Sequence, residues 1–189
     1  MSAKIVNYQK LYNITENMTP LADDCGKLCG KICCRPDKNN TLGMYLYPGE
    51  EEMFTREEDW LRWERRNPGE DDFPASWNNP VYFICCTKPC PRKHRPLNCR
   101  LFPLAPHLLK DGTLLLIYET LYLPYTCPLI KRKTPLRQDF IDAVAHCWQE
   151  LLTDRRISDL VEMDSREREK EGNQPFIVRI ILPPLSRRR

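Results

Sequence analysis

Four cysteines lie within ten residues near the start of the chain, in the segment Cys-Gly-Lys-Leu-Cys-Gly-Lys-Ile-Cys-Cys at 25–34. Thiolates are the soft ligands that bind zinc, copper(I) or iron–sulfur clusters. The two glycines, Gly26 and Gly30, allow the backbone to fold closely around a bound group. We therefore expect this segment to hold a metal centre around which the rest of the fold is organised.

The spacing within the segment restricts which thiols can act together. If the segment were helical, Cys25, Cys29 and Cys33 would recur on roughly one face of the helix. Cys34 would then point about a third of a turn away from them. Three of these thiols could share one site, and the fourth would serve elsewhere.

A second group of cysteines begins at the end of a predicted strand and continues through two proline-punctuated loops. The eight predicted metal ligands are Cys25, Cys29, Cys33, Cys34, Cys86, Cys90, Cys99 and Cys127. They could form two four-ligand sites, or one four-thiolate site with spare thiols, since cysteines adjacent in a chain rarely direct both sulfurs at one metal. The usual zinc-ribbon pattern of two C-x2-C pairs is absent from the sequence.

The chain of 189 residues is long enough for one domain with a modest core. We expect a single cysteine-cluster domain over 1–189, with the cluster at about 21–130 and C-terminal helices and a strand at 134–183. The sequence has seventeen prolines, seven glycines and ten cysteines. This composition predicts a loop-rich chain whose irregular segments a bound metal would hold in place.

The N-terminus lacks the apolar core of a secretion signal, and no segment approaches the roughly 18 apolar residues of a membrane span. These features predict a cytoplasmic protein that does not enter the membrane. In a reducing cytosol, ten cysteines are expected to be metal ligands and buried thiols rather than disulfides.

The apolar pattern predicts an α+β fold, a small loop-rich domain with several helices and short antiparallel strands around a cysteine-ligated metal centre. The predicted helices cover 3–17, 50–66, a segment from 134 and a short segment from 154. The predicted strands cover 41–47, 80–84 and 175–182, with a hairpin of 101–109 against 112–118. We expect the charged run 164–171 to be a solvated face or linker, and Cys147 to be a small buried hydrophobe.

The charges of the chain say little about its partners. The 29 Lys and Arg against 26 Asp and Glu give a net charge of +3, too slight to mark a nucleic-acid or membrane surface. Arg92, Lys93, Arg95 and Arg100 lie among the second group of thiols, where positive charge would offset a polythiolate centre. The alternative is that this loop binds phosphate. The loop lacks interleaved aromatic residues on which bases could stack, so a nucleic-acid partner is not expected.

Together these residues resemble the YkgJ-like cysteine-cluster family of zinc- or iron-chelating proteins. The resemblance spans about 21–128 and is carried by the segments 25–34, 43–50, 90, 95–104 and 127–128. The most specific element is Arg-Pro-Leu-Asn-Cys-Arg-Leu-Phe-Pro at 95–103. The resemblance implies a thiolate-bound zinc or iron–sulfur centre with largely unassigned biochemistry. The doubled Cys85-Cys86 leaves the matching ligand open, and we favour Cys86 because its spacing to Cys90 repeats that of Cys25 to Cys29.

We therefore expect a protein that binds a metal ion or an iron–sulfur cluster. One alternative is a redox or electron-transfer role, since iron cycles between oxidation states and zinc does not. Another is cluster-dependent methyl transfer, because the motif is also similar to one in flagellin lysine N-methylases, which are much longer proteins. A third is a structural zinc domain that docks a protein or nucleic acid through its basic loop. No phosphate-binding loop or nucleophile elbow identifies a catalytic residue.

Overall fold

A computed structural model describes residues 6–34, 42–172 and 175–181. Over these ranges the fold is α+β, as predicted, with six α-helices and two small antiparallel sheets. The α-helices are α1 (Tyr8–Thr15), α2 (Gly26–Cys29), α3 (Leu97–Leu101), α4 (Pro128–Arg132), α5 (Gln138–Leu151) and α6 (Arg155–Lys170). The strands are β1 (Gly43–Tyr45), β2 (Leu61–Arg66), β3 (Val81–Cys86), β4 (Leu104–Leu108), β5 (Leu114–Tyr118) and β6 (Ile177–Ile181). Short 3₁₀-helices occur at Ile32–Cys34, Glu50–Met53, Pro68–Glu70 and Arg92–His94.

In the first sheet, β3 is the central strand, with β1 and β2 antiparallel on its two sides. The β-branched and aromatic residues that begin β3 suit a pleated surface. Ile84 lies opposite both Met44 and Trp63 and is only 2% exposed, within an apolar cluster that includes Trp60. The predicted strand 80–84 is thus confirmed, and it continues through the two adjacent cysteines.

In the second sheet, β5 is central and all five of its residues are buried. It pairs antiparallel with β4 and β6, which confirms the predicted hairpin and the strand predicted at 175–182. Helix α6 covers the edge strand β4. The Leu108 amide donates to Ser165 Oγ at 2.9 Å, and Arg168 Nη1 donates to the Pro106 carbonyl at 3.2 Å. Covering an edge in this way removes a site of unwanted strand pairing.

The larger hydrophobic core joins α1 and α5 to the second sheet. The buried face of α5 includes Phe140, Val144 and Leu151, spaced for one side of a helix. Cys147 lies on the same helix and is fully buried in this core, which confirms that it is a small buried hydrophobe. Leu11 supplies a fully buried contact from α1.

The helix predicted over 50–66 is wrong. Only Glu50–Met53 is helical, as a single 3₁₀ turn, and Leu61–Arg66 forms β2. All six residues of β2 pair with β3, and the Thr87 amide donates to the Trp60 carbonyl just before this strand. Glu50 begins this 3₁₀ turn, and its side chain is completely buried.

The charged run 164–171 is not a linker. It is helical as far as Lys170 in α6, which is therefore much longer than the short helix predicted from 154. Ser165 and Arg168 are buried because they bond to the edge of β4, while Arg166, Glu167 and Glu169 stay exposed. The predicted solvated face is thus correct for one side of the helix only.

Some other boundaries also differ. Helix α5 begins at Gln138 rather than at 134, and the short helix α4 precedes it. Predictions for residues 3–5, 41 and 182–183 lie outside the described residues. Within the described ranges, no helix is long and apolar enough to cross a membrane.

Candidate thiol centre

The first cysteine segment is a short helix followed by a sharp reversal. Helix α2 ends at Cys29, and both Gly30 (φ 60°) and Lys31 (φ 61°) adopt the left-handed conformation before the 3₁₀ turn Ile32–Cys34. The segment is therefore not a continuous helix. The reversal, which glycine favours at the first of these positions, makes it a compact loop, so the condition for a stripe of thiols on one helix face is not met.

Gly26 allows this loop to close. Its amide donates to Asp24 Oδ1 at 3.0 Å, and its carbonyl accepts the Lys31 amide at 3.0 Å. A Cβ at Gly26 would lie 2.5 Å from Lys31 Cγ, so any other residue here would displace the lysine chain. The glycine predicted to permit close folding thus has a direct steric reason.

The two adjacent cysteines at the end of β3 lie in different surroundings. Cys85 is buried and receives a hydrogen bond from Arg62 Nη2 at 3.6 Å on the neighbouring strand. Cys86 instead lies by Cys90 and lines a cavity shared with the first cysteine segment. This follows from the alternation of side chains along a strand, which sends neighbours to opposite faces.

Four thiols follow one another in space in the order Cys33, Cys34, Cys90, Cys86. The Sγ atoms of Cys33 and Cys34 are 3.8 Å apart. A hydrogen bond from Cys34 lowers the pKa of Cys33 to about 7, and hydrogen bonds from Cys34 and Cys86 lower the pKa of Cys90 to about 2. The same hydrogen bonds raise the pKa values of Cys34 and Cys86, the two donors. The four thiols are therefore linked in one row by contacts between neighbouring thiols.

Cys99 joins this row from α3. Its Sγ contacts Met44 Sδ of β1 at 3.4 Å. Burial raises the pKa of Cys99, and the negative charges of Cys90 and Cys33 raise it further. Five of the eight predicted ligands are thus gathered from two parts of the chain, the first cysteine segment and residues 86–99.

The other three predicted ligands lie around Cys33. Burial raises the pKa of Cys25 to about 11, and the charge of Cys33 adds to the effect. Burial also raises the pKa of Cys127, which precedes α4, and the charges of Cys33 and Cys29 add to it. Cys25, Cys29 and Cys127 therefore form an outer set. Cys33 is the member of the row of four whose charge acts on this set.

Arg95 is the cation of this centre. Its positive charge and its hydrogen bond to Cys90 add to the effect of the thiol donors in lowering the pKa of Cys90. Its charge also lowers the pKa of Cys33, after the hydrogen bond from Cys34. The prediction that cations offset charge near the thiols is thus matched by the position of Arg95.

Arg100 has a different task, which is to hold the loop that carries Arg95. Its guanidinium donates to the carbonyls of Lys93 and Arg95, both at 2.6 Å, and to the Tyr12 carbonyl at 3.2 Å. It also lies 4.2 Å from the centre of the Tyr12 ring. Because Arg100 is buried and Arg95 faces the thiols, two of the four predicted cations of the loop are directed inward rather than towards a docking partner.

Glu50 is the residue of this region that sequence reasoning missed. Its carboxylate accepts hydrogen bonds from Tyr12 Oη at 2.8 Å, from the Leu97 amide at 2.7 Å and from the Tyr47 amide at 3.0 Å. It therefore connects α1, the segment after β1 and the start of α3, which carries Cys99. Its place in a run of three glutamates concealed this role, since the run by itself resembles an exposed helix start.

The placement of these side chains limits how they could hold a metal. Among residues 6–34, 42–172 and 175–181, no group of three or more Cys, His, Asp or Glu side chains is placed to hold a metal ion. One pair has suitable spacing, because two thiolates on a tetrahedral zinc at about 2.3 Å are about 3.8 Å apart, as Cys33 and Cys34 are. A site here therefore requires the other thiols to rotate towards this pair.

No family model, curated protein or solved structure matches this chain.

Proposed function

We propose that the protein binds a zinc ion or an iron–sulfur cluster through cysteine thiolates. The observation that carries this proposal is the row of thiols Cys33, Cys34, Cys90 and Cys86, brought together from two separate segments. Soft thiolates at this density are the ligand set of zinc and iron–sulfur centres. The motif resemblance to the YkgJ-like family points to the same chemistry.

The electrostatics of the row also support a metal. Hydrogen bonds from neighbouring thiols and the charge of Arg95 lower the pKa values of Cys33 and Cys90. A metal ion would replace those protons, because thiols lose their protons when they bind. Arg95 would then offset part of the negative charge that four thiolates leave on a divalent ion.

The eight thiols divide into an inner and an outer set under this proposal. The inner set consists of Cys33, Cys34, Cys86, Cys90 and Cys99, and the outer set consists of Cys25, Cys29 and Cys127. We propose that the first site forms within the inner set. Cys33 is the thiol through which the outer set could complete it or begin a second site, because its charge acts on both sets.

The decisive experiment is metal and acid-labile sulfide analysis, with a visible absorption spectrum, on protein purified without oxygen or added metal. Iron with sulfide would establish a cluster and favour redox or cluster-dependent chemistry. Zinc without sulfide, near one equivalent or more, would establish a structural centre. A protein with neither, which also takes up neither after incubation with zinc or with iron and sulfide, would overturn the proposal.

Variants make this experiment specific to the row of thiols. Cys90→Ser should abolish or strongly reduce metal content, because Cys90 lies between Cys34 and Cys86 in the row. Cys147→Ala is the matched control, since Cys147 is a buried thiol in the core away from the row. Equal metal content in the two variants would contradict the proposed site.

A further inference from the structure

The two edges of the second sheet have different surroundings. The outer edge of β4 is covered by α6, through the hydrogen bonds of Ser165 and Arg168. The opposite edge is β6, which pairs with β5 on one side. Among the described residues, no strand pairs with the second side of β6. Since alternate amides and carbonyls of an edge strand point away from the sheet, β6 presents backbone groups that another strand can use.

The side chains of β6 extend an apolar face of the sheet to this edge. Ile177 lies opposite Ile117, and Ile180 lies opposite Leu115. Ile117 and Leu115 are buried members of one apolar cluster, and cross-strand partners point to the same face of a sheet. Ile177 and Ile180 are 46% and 57% exposed, and the exposed ring of Phe176 precedes them. Exposed apolar side chains are thus concentrated along this edge.

A bulge in β6 puts the two isoleucines on one face. Residues three apart in a regular strand point to opposite faces. In β6 the register shifts, because Leu116 lies opposite Arg179 while Ile117 lies opposite Ile177, which leaves Val178 as an extra residue. The extra residue restores the alternation, so both isoleucines face the same way.

Strand β6 has little of the protection that edge strands usually carry. Charged side chains and prolines on an edge commonly prevent pairing with another chain. Arg179 is the single charged residue of β6, and it is paired with Asp142 of α5. No proline lies within Ile177–Ile181, so the bulge is the one protective feature of this strand. The edge is therefore open to a further strand.

We propose that two copies of the chain form a dimer by pairing their β6 strands antiparallel, which joins the two second sheets into one six-stranded sheet. The two-fold axis passes between Val178 and Arg179. Ile177 of one copy then lies opposite Ile180 of the other, and the same pair forms again across the axis. Pairs of β-branched residues stabilise antiparallel strands. A two-fold dimer needs a self-complementary surface, which the two isoleucines supply.

The charges at the edge also suit a second copy. Each copy brings one Arg179 and one Asp142 to the axis, so the four charges sum to zero. A partner strand rich in acidic or basic residues would disturb this balance and place charges against the two isoleucines. The contact between two five-residue strands is small, so we expect a dimer that dissociates in the micromolar range.

The first test is sedimentation velocity on the whole chain under reducing conditions, at concentrations from about 1 to about 200 µM. The mass should rise from that of the 22.4 kDa monomer towards twice that value. The proposal goes beyond metal binding and does not depend on it, so the series is repeated with a chelator, with circular dichroism to show that the protein stays folded. A dimer of folded protein that dissociates on removal of metal would overturn the proposal.

Variants locate the interface. Ile177→Lys and Ile180→Lys should each raise the dissociation constant of the dimer at least about tenfold, because a charge would be buried there without a partner. Ile180→Val keeps a β-branched residue and should preserve the dimer. Leu28→Lys is the matched control, since Leu28 is 54% exposed on α2, outside both sheets. Circular dichroism shows whether each variant is folded.

Hydrogen exchange distinguishes edge pairing from other dimers. Peptides that cover residues 175–181 should exchange more slowly at about 200 µM than at about 1 µM, because amides of β6 gain acceptors from the other copy. Three results would overturn the proposal. They are a monomer at every concentration, an unchanged dissociation constant in both lysine variants or an equal rise in Leu28→Lys, and a dimer without slower exchange at residues 175–181.

Discussion

The buried carboxylate of Glu50 accepts the backbone amide of Leu97 at 2.7 Å, across 47 positions of the chain. This hydrogen bond fixes the first turn of the helix that carries Cys99, and the same carboxylate also accepts from Tyr12 and Tyr47. Because all three donors converge on one buried side chain, the position of the thiols depends on a residue that contains no sulfur.

We predict that Glu50→Gln lowers the free energy of unfolding by about 2 kcal/mol, because an amide nitrogen would face a donor and leave it unpaired. Urea unfolding monitored by circular dichroism measures this change. Glu52→Gln, on an exposed neighbour, should change stability by less than about 0.5 kcal/mol. Similar losses in both variants would show that the buried hydrogen bonds of Glu50 contribute little.

Arg100→Lys should also destabilise the protein, by about 2 kcal/mol, because lysine cannot reproduce the planar set of hydrogen bonds to Lys93, Arg95 and Tyr12. The same variant should reduce metal content, since the loop that carries Arg95 loses its support. Arg132→Lys, at an exposed position, serves as the control. The prediction fails if Arg100→Lys keeps both the stability and the metal content of the unmodified protein.

The buried position of Asp164 predicts how the stability of the protein depends on pH. Burial raises the pKa of Asp164 to about 6 from 3.8, while Arg168 lowers it and Glu119 raises it. Because the folded state binds the proton more tightly, this group favours folding at low pH and loses that contribution as pH rises through about 6. Asp164→Asn should therefore be more stable than the unmodified protein by about 1–2 kcal/mol at pH 7.5.

The advantage of Asp164→Asn should shrink as pH falls towards about 4, where both forms of the protein carry a neutral group at this position. Urea unfolding at pH 4.5 and pH 7.5 measures the two values. Asp159→Asn, on the same helix, should show no such difference between the two pH values. If the difference in free energy of unfolding between Asp164→Asn and the unmodified protein is the same at both pH values, burial does not determine the pKa of Asp164.

Cys147 should be the thiol that resists alkylation longest. It is fully buried, and burial raises its pKa to about 12. In metal-free protein at pH 8, iodoacetamide should modify Cys33 and Cys90 well before Cys147, because hydrogen bonds from Cys34 lower the pKa of both thiols. Peptide mass spectrometry over time gives the order, and early modification of Cys147 in folded protein would contradict the structure.

Sequence patterns predicted secondary structure correctly where the residues of an element determine its conformation by themselves. The apolar run of β5 and the spacing of Phe140, Val144 and Leu151 in α5 predicted a strand and a helix that the structure contains. The segment 61–66 failed because its charged and aromatic residues are compatible with a helix, and only its full pairing with β3 makes it a strand. Tertiary pairing of this kind is not visible in a local window.

In the candidate site, too, local sequence predicted some features, while others depend on contacts between distant residues. The spacing to Cys90 favoured Cys86 over Cys85, and the structure places Cys86 beside Cys90 while Cys85 contacts Arg62. The roles of Glu50 and Arg100 could not be predicted, because each also bonds to a backbone group far away in the sequence, the Leu97 amide for Glu50 and the Tyr12 carbonyl for Arg100. Metal binding itself stays a prediction.

The sheet topology has a consequence for synthesis of the chain on the ribosome. All strands of the first sheet lie within residues 43–86, and the last predicted ligand is Cys127, whereas the second sheet needs β6 at Ile177–Ile181. At roughly 5–20 residues per second, the complete set of thiols emerges a few seconds before β6 can pair with β5. Under the proposed metal binding, metal would enter a nascent chain whose second sheet still has an open edge, so metal starvation during translation should reduce yield more than starvation imposed afterwards.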